Sequence, residues 1–361
     1  MASISSYTAA DGSKRYRVRY RKPDHSSTDK RGFRRKKDAE DFLARLVASL
    51  NDGDYVDPNA GLITVSELGA TWLSSKRTVM KPSSYHSIEV SWRVWVRPKW
   101  GSRPVRTIRR SELQTWVAEM ASERSASIVL RAHGVMNGIL RTAKDDGIIR
   151  TNPAEGLDLP RKRAKPRRYL SARQVVELAD ACGRYRSLVL LLGLCGLRWG
   201  EATGLRVHSV DPEANRITVE VSATKVGTRI IEGTPKSGKA RQIPMPGIVR
   251  EALKEQCRGK GPDDLVFTGP DGSYVRQQSS APGNRGWFRN GLIAAGLPMM
   301  TPHDLRHSAA SIIVHNGGNV KVLQRMLGHA SAAMTLDRYS DLFDGDLDAI
   351  ADAIDGELEG I

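Results

Sequence analysis

Cysteine is nearly missing: 361 residues contain Cys182, Cys195 and Cys257 and no others. So few and so scattered, they exclude a disulfide framework and a thiolate zinc site. Cys182 and Cys195 fall in apolar helical sequence, where free thiols pack as small hydrophobes, and a reducing cytoplasm fits. Long apolar runs are missing too. The longest, LVLLLGLCGL at 188–197, is far short of the roughly 20 residues a membrane helix needs. The N-terminal stretch has no apolar run beside its basic residues, so no signal peptide is expected. Internal repeats, a glycine-rich nucleotide loop and side chains at metal-ligand spacing are also absent.

Acidic residues are scarce at one end and cations are missing from the other. Residues 1–37 hold twelve Lys and Arg against three Asp, and residues 341–361 hold eight acids and no Lys or Arg. The whole chain carries +16 with a pI near 9.9, an excess that points to a polyanion, most often nucleic acid. Apolar residues make up 40% and there are seven Trp, enough for packed cores. At roughly 150 residues per domain the length implies two or three domains.

In the basic head, KRYRVRYRK (14–22), Tyr16, Val18 and Tyr20 alternate with Arg17, Arg19 and Arg21. Period two predicts a strand with one apolar and one cationic face. Asp24 to Ser27 reads as a turn, and GFRRKK (32–37) as a second basic strand or its end. Helical spacing begins at Lys37, with Phe42, Leu43, Leu46, Val47 and Leu50. Residues 1–55 are therefore expected to be a small sheet with one helix on it. Arg17, Arg19, Arg21, Arg34, Arg35, Lys36 and Lys37 are candidates to track phosphates or enter a groove.

NDGDYVDPNAG (51–61) is a linker of turn-formers. Thr64 and Glu67 have the spacing of a capping box, and helical patterns follow to residue 157. A basic all-helical domain of four or five helices is expected over 62–157. A second linker, LPRKRAKPRRY (159–169), adds Arg161, Lys162 and Arg163 as candidate backbone contacts. Ser171 and Gln174 form another capping box, which opens the last domain, 170–345.

Four stretches of that domain carry chemistry together. GLRWGE (196–201) follows an apolar, buried helix and places Arg198 three residues before Glu201. TPKSGKAR (234–241) lies between two strand-like stretches and would put Lys236 near a hairpin tip. In PHDLRHSAASIIVHNGG (302–318), His303 and Arg306 share a helix face, with His307 close. In LGHASAAMTLDRYS (327–340), Gly328 caps one helix, His329 sits at the cap, and Thr335 and Tyr339 share a face of the next. Two arginines, a lysine, two histidines and a tyrosine suit metal-free attack on a phosphodiester. The arginines can hold non-bridging oxygens. A histidine can take the phenol proton, and a lysine can protonate the leaving oxygen.

Arg198, Lys236, His303, Arg306, His329 and Tyr339, in that order, resemble the tyrosine recombinase (phage integrase) family. The three-part layout resembles its lambda-type integrases over nearly the whole chain. The resemblance implies a multi-domain α+β protein: 1–55 an arm-type DNA-binding domain, 62–157 a helical core-type DNA-binding domain, and 170–345 a mixed, mainly helical catalytic domain with a small antiparallel sheet. By the same resemblance, Tyr339 attacks the scissile phosphate and forms a 3′-phosphotyrosine. Arg198 and Arg306 clamp the phosphate and His329 bonds to it. His303 serves as general base and Lys236 as general acid, with Lys225 and Lys239 as competing lysines. Glu201 orients Arg198 and His303. No cofactor is implied, neither metal nor ATP. The implied partners are double-stranded DNA with core-type and arm-type sites, three further copies in a homotetramer, a DNA-bending accessory protein and a directionality factor. The implied setting is a bacterial host cell, with integration and excision of phage or mobile-element DNA. The acidic tail 346–361 has an apolar stripe at Leu347, Ile350, Ile354, Leu358 and Ile361 and is expected to pack in trans. The rival readings are type IB topoisomerase-like relaxation and a non-enzymatic DNA-binding regulator.

Overall fold

Alternation in the basic head builds a strand, as its period requires. β1 (Ser3–Thr8), β2 (Lys14–Arg21) and β3 (Ser27–Phe33) form an antiparallel sheet with β2 in the centre. Val18 and Tyr20 are buried while Arg19 and Arg21 are exposed. α1 (Lys36–Asn51) covers the apolar face through Ala39 and Leu46. The sheet has three strands where the basic pattern marks two. β1 is polar and mostly exposed, so it carries little hydrophobic signal. In this computed structural model the described residues are 2–22, 25–51, 60–162, 167–236, 238–279 and 281–343, with isolated positions 355 and 358. Asp24 of the expected turn, linker positions 52–59, Arg163, Ser237 and nearly all of the tail 346–361 lie outside the described residues.

The chain divides into two compact units, 1–163 and 164–361. The first contains two separate cores, that of the sheet and α1 and that of a helical bundle. The bundle begins at α2 (Val65–Val79), whose Thr64–Glu67 capping box forms in full. α3 (Pro82–Ser91) runs through a π-helical turn (Trp92–Val96) into α4 (Arg97–Trp100). α5 (Arg110–Glu123) and α6 (Ala126–Asp145) complete it. Trp100 and Trp116 meet edge to face at 5.8 Å in its core.

The second unit is built on α7 (Ala172–Ala181) and α8 (Arg186–Cys195). Every residue of α8 from Leu188 to Cys195 is buried, as its unbroken apolar run demands. α9 (Trp199–Thr203) follows at once. β4 (Val210–Asp211), β5 (Arg216–Val219) and β8 (Arg241–Pro244) form one antiparallel sheet, and β6 (Ser222–Val226) and β7 (Arg229–Gly233) a separate hairpin. This corrects the expected placement of Lys236. β7 pairs with β6 and β8 with β5, so 234–240 connects two sheets and is no hairpin tip. Gly238 donates to the Pro235 carbonyl at 2.9 Å, but strand pairing depends on partners remote in sequence. α10 (Gly247–Cys257), α11 (Trp287–Ala294), α12 (Pro302–His315), α13 (Val320–Leu327) and α14 (Ala332–Tyr339) complete the unit. The architecture is thus mixed and mainly helical, with small antiparallel sheets in both parts. Among the described residues, no helix is long and apolar enough to cross a membrane.

Candidate active site

Three arginines meet at one helix end. The last carbonyls of a helix have no partner within it, and its C-terminus attracts positive charge. At the end of α13, Arg241 Nε donates to the Met326 carbonyl at 3.0 Å. Arg306 Nη2 donates to Leu327 at 2.6 Å, and Arg198 Nη2 to Gly328 at 3.1 Å. Arg306 also donates to the Gly196 carbonyl at the end of α8, at 2.6 Å. It thereby ties two helix ends together across the core.

Two glycines make this convergence possible. Gly196 has φ +70°, and a Cβ there would stand 2.7 Å from Leu327 Cδ2. Gly328 has φ +63°, and a Cβ there would meet the Arg241 guanidinium at 2.9 Å. Both need the left-handed region and both lack room for a side chain.

Glu201 is buried between two of the arginines. Arg198 donates its backbone N–H at 2.9 Å and Nη1 at 2.8 Å, so the Arg198–Glu201 pair is also a capping box for α9. Arg241 donates Nη2 at 2.7 Å and Nη1 at 3.1 Å. Desolvation alone would push the Glu201 carboxyl upward, but the bonds and charge of Arg241, with Arg198, outweigh it and hold it at about 2. Burial pushes Arg306 downward, yet a guanidinium keeps its charge.

Beyond Gly328, His329 is buried and its Nδ1 lies 3.0 Å from Thr335 Oγ1. Desolvation, then Arg306, depresses it to about 3. Its ring stacks with Tyr339 at 6.1 Å and 9°. Tyr339 is fully buried. Its hydroxyl is 2.8 Å from His307 Nδ1. Desolvation, then His303, depresses His307 to about 4, so the ring is neutral near pH 7 and the phenol donates. Burial raises the Tyr339 phenol, while Arg306, Arg338, Arg167 and Arg198 pull the other way. The Arg167 guanidinium lies 5.7 Å from the Tyr339 ring centre and donates to the Arg338 carbonyl.

Arg198, Glu201, Arg306, His329 and Tyr339 are therefore brought together. His303 is exposed one turn before His307, with ring centres 5.0 Å apart. Its imidazole is pushed down, first by partial desolvation and then by Arg306. The phenol bond of Tyr339 goes to His307, not to His303. Lys236 is exposed, and among the described residues no hydrogen bond or ion pair ties it to this cluster. Of the other sequence candidates, Arg19, Arg21, Arg34, Arg35, Lys36, Lys37, Arg161 and Lys162 are exposed. Arg17 is half-buried, bonded to Ser5 at 2.9 Å and 3.9 Å from Asp29; its charge is partly engaged within the sheet.

Arg241, Arg167 and the link from His307 to Tyr339 escaped the sequence reading. The proximity of His307 to the His303–Arg306 face was legible, its partner was not. Arg241 and Arg167 are ordinary members of basic stretches, and only the fold sets them apart.

Residues 168–345 match the model of the phage integrase family. The integrase of Mycobacterium phage D29 is 25% identical over 325 residues, covering 85% of this chain and 84% of that protein. The tyrosine recombinase XerC of Rhodospirillum centenum is 31% identical over 247 residues, covering 63% and 66%. A lambda integrase tetramer bound to a Holliday junction has a similar fold, with TM-score 0.61, 18% identity, and coverage of 91% of this chain and 96% of that one.

Proposed function

We infer that this chain, whose residues 168–345 belong to the phage integrase family and which is a tyrosine-type site-specific recombinase, cleaves and rejoins DNA through Tyr339. The observation that carries this reading is the continuity from Arg306 and Arg198, at the end of α13, through His329 to a tyrosine bonded to a neutral imidazole. Relatives named integrases and recombinases leave the regulator and type IB topoisomerase readings without support.

The Tyr339 oxygen attacks the scissile phosphorus while its proton passes to a histidine. The phosphorus–oxygen bond to the 5′ side breaks, and Lys236 protonates the departing 5′-oxygen, with Lys225 and Lys239 as alternatives. The product is a 3′-phosphotyrosine and a free 5′-hydroxyl. A 5′-hydroxyl from the partner strand then attacks that linkage, and Tyr339 regains its proton. Phosphodiester bond energy is retained throughout. Arg198 and Arg306 hold the non-bridging oxygens and offset their growing charge. If the Thr335 hydroxyl donates to Nδ1 of His329, Nε2 carries the proton that His329 offers to the phosphate. Glu201 keeps Arg198 aimed. His307 is the proton acceptor while Tyr339 is buried against it. His303, on the exposed side, is the acceptor once Tyr339 has moved to meet DNA.

Around this centre, 1–55 serves as an arm-type DNA-binding domain, 62–157 as the core-type domain and 170–345 as the catalytic domain. The lambda integrase of similar fold forms a tetramer on a Holliday junction, and this chain acts as a homotetramer on double-stranded DNA in the same way. The acidic tail 346–361 packs on a neighbouring copy. A DNA-bending accessory protein and a directionality factor select integration or excision, and the work takes place in the cytoplasm of a bacterial host.

Covalent trapping tests the reading. The protein is incubated in EDTA with nicked DNA from the flanks of its own gene and resolved on a denaturing gel. A shifted band that disappears with Tyr339→Phe is expected. A band that survives the substitution moves the nucleophile elsewhere.

A further inference from the structure

Tyr339 is fully buried, and its hydroxyl is occupied by His307. A nucleophile in that position has no surface on which to meet a phosphodiester. Something must hold it there, and something must release it. α14 supplies only part of the hold, because a single short helix ending at the tyrosine frays readily. Further contacts come from the apolar cluster of Ala310, Val314, Leu323 and Leu327, from His307 and His329, and from Arg167, 172 positions upstream by the numbering of the chain. Its guanidinium lies 5.7 Å from the Tyr339 ring centre and donates to the carbonyl of Arg338, in the last turn of α14. One side chain thus covers the ring and satisfies a carbonyl of the helix that carries it.

The origin of Arg167 gives the contact its meaning. It belongs to LPRKRAKPRRY, where Arg161, Lys162, Arg163, Lys165, Arg167 and Arg168 put six cations into eight positions. Arg167 itself is exposed. A stretch of that charge next to a duplex condenses on phosphates, with release of counterions. A phosphate offers a guanidinium two charge-assisted bonds, and a guanidinium turned to a phosphate no longer caps the Arg338 carbonyl or covers the Tyr339 ring. Capture of this segment by DNA therefore competes directly with the hold on α14.

We propose that Arg167 is a positioning residue for Tyr339: off DNA it pins the end of α14 and keeps the tyrosine buried, and binding of the basic segment to phosphates draws it away and frees the tyrosine. The proposal rests on the reading of Tyr339 as nucleophile. It couples readiness to cut to occupancy of DNA by a segment outside the catalytic cluster, so that free enzyme is silent. An arginine serving only as a helix cap makes a different forecast, namely that its loss weakens the fold and slows the reaction.

Two readouts on the full chain separate these. The first is nitration of Tyr339 by tetranitromethane without DNA, followed by mass spectrometry of the C-terminal peptide. Wild type reacts slowly, and Arg167→Ala is expected to react at least several-fold faster, with Arg167→Lys in between. The second is the single-turnover rate of covalent trapping on nicked DNA at saturating DNA concentration. Arg167→Ala is expected to match or exceed wild type. Circular dichroism and melting confirm that each variant is folded, and Arg167→Gln replaces Arg167→Ala if the latter is not. Unchanged nitration in a folded variant overturns the proposal, and so does a reduced saturating rate. The Tyr339→Phe trapping experiment stands apart from both. A covalent band surviving it defeats the nucleophile reading, while a lost band with unchanged nitration defeats only the role of Arg167.

Discussion

The Tyr339 hydroxyl and His307 Nδ1 lie 2.8 Å apart, within hydrogen-bond distance, whereas the family resemblance gives the phenol proton to His303. His307 follows Arg306 directly on α12. Arg306 therefore points into the two helix ends while the next residue faces the tyrosine.

Histidine substitutions separate the two imidazoles. His307→Ala should slow single-turnover strand cleavage by about 10²-fold or more if it takes the phenol proton. His303→Ala should do so if the acceptor changes after DNA binds. Comparable losses from both, with a double variant no worse than either single, would indicate one proton path shared by the pair. A His307→Ala enzyme that cleaves at the wild-type rate removes His307 from it.

Acid should destabilise this protein through three groups of the same sign. His307 and His329 are held at about 4 and about 3, below the ordinary imidazole value of 6.5, and Glu201 at about 2, below 4.5. In each case the unfolded chain binds protons first as pH falls. Stability is then fully present above the unfolded values and is lost as pH drops toward the folded ones. Melting temperature should decline from pH 7 to pH 4. The slope between pH 6.5 and pH 4 should be shallower in His307→Gln, and an unchanged slope would show that His307 is not depressed.

Glu201→Gln leaves Arg198 and Arg241 facing one another without their shared anion. Breaking a buried pair costs about 3–5 kcal/mol, so a large drop in denaturant midpoint is expected. Because both arginines share the one carboxylate, Arg241→Ala and Glu201→Gln should be strongly non-additive in a double-mutant cycle. Simple additivity would mean that the two side chains are not coupled in solution.

Thr335→Val preserves shape and removes the hydroxyl beside His329 Nδ1. An unsatisfied buried polar atom costs about 1–3 kcal/mol. Cleavage should fall together with stability, because the tautomer of His329 is no longer set. A variant with wild-type cleavage would show that Thr335 does not orient the ring.

Arg198→Lys and Arg306→Lys retain charge but lose the fork. Each should lower cleavage by about 10²–10³-fold, as expected for removal of a donor to a developing charge, while DNA affinity measured by gel shift changes little. Equal losses in affinity and cleavage would assign the arginines to binding alone.

Local patterns carried much of this protein on their own. The alternation of Tyr16, Val18 and Tyr20, the unbroken apolar run of α8, and the boxes at Thr64–Glu67 and Ser171–Gln174 depend on neighbours within one turn or one strand, and each appears in the fold. The same locality put Arg198 beside Glu201 and His303 beside Arg306, while their roles came with the resemblance of the whole ordered set. Where partners are far apart in sequence, local pattern was silent. Pairing of β5 with β8 displaced Lys236 from its expected hairpin tip, because the side chains of a strand do not specify which edge it joins. Arg241 reaches Glu201 forty residues upstream, Arg167 reaches the helix of Tyr339, and His307 meets the phenol across 32 residues. Residue chemistry along the chain determined which groups could act on a phosphodiester. Packing of α8, α9, α12, α13, α14 and β8 decided which of them meet, since a buried charge stays where all its partners converge.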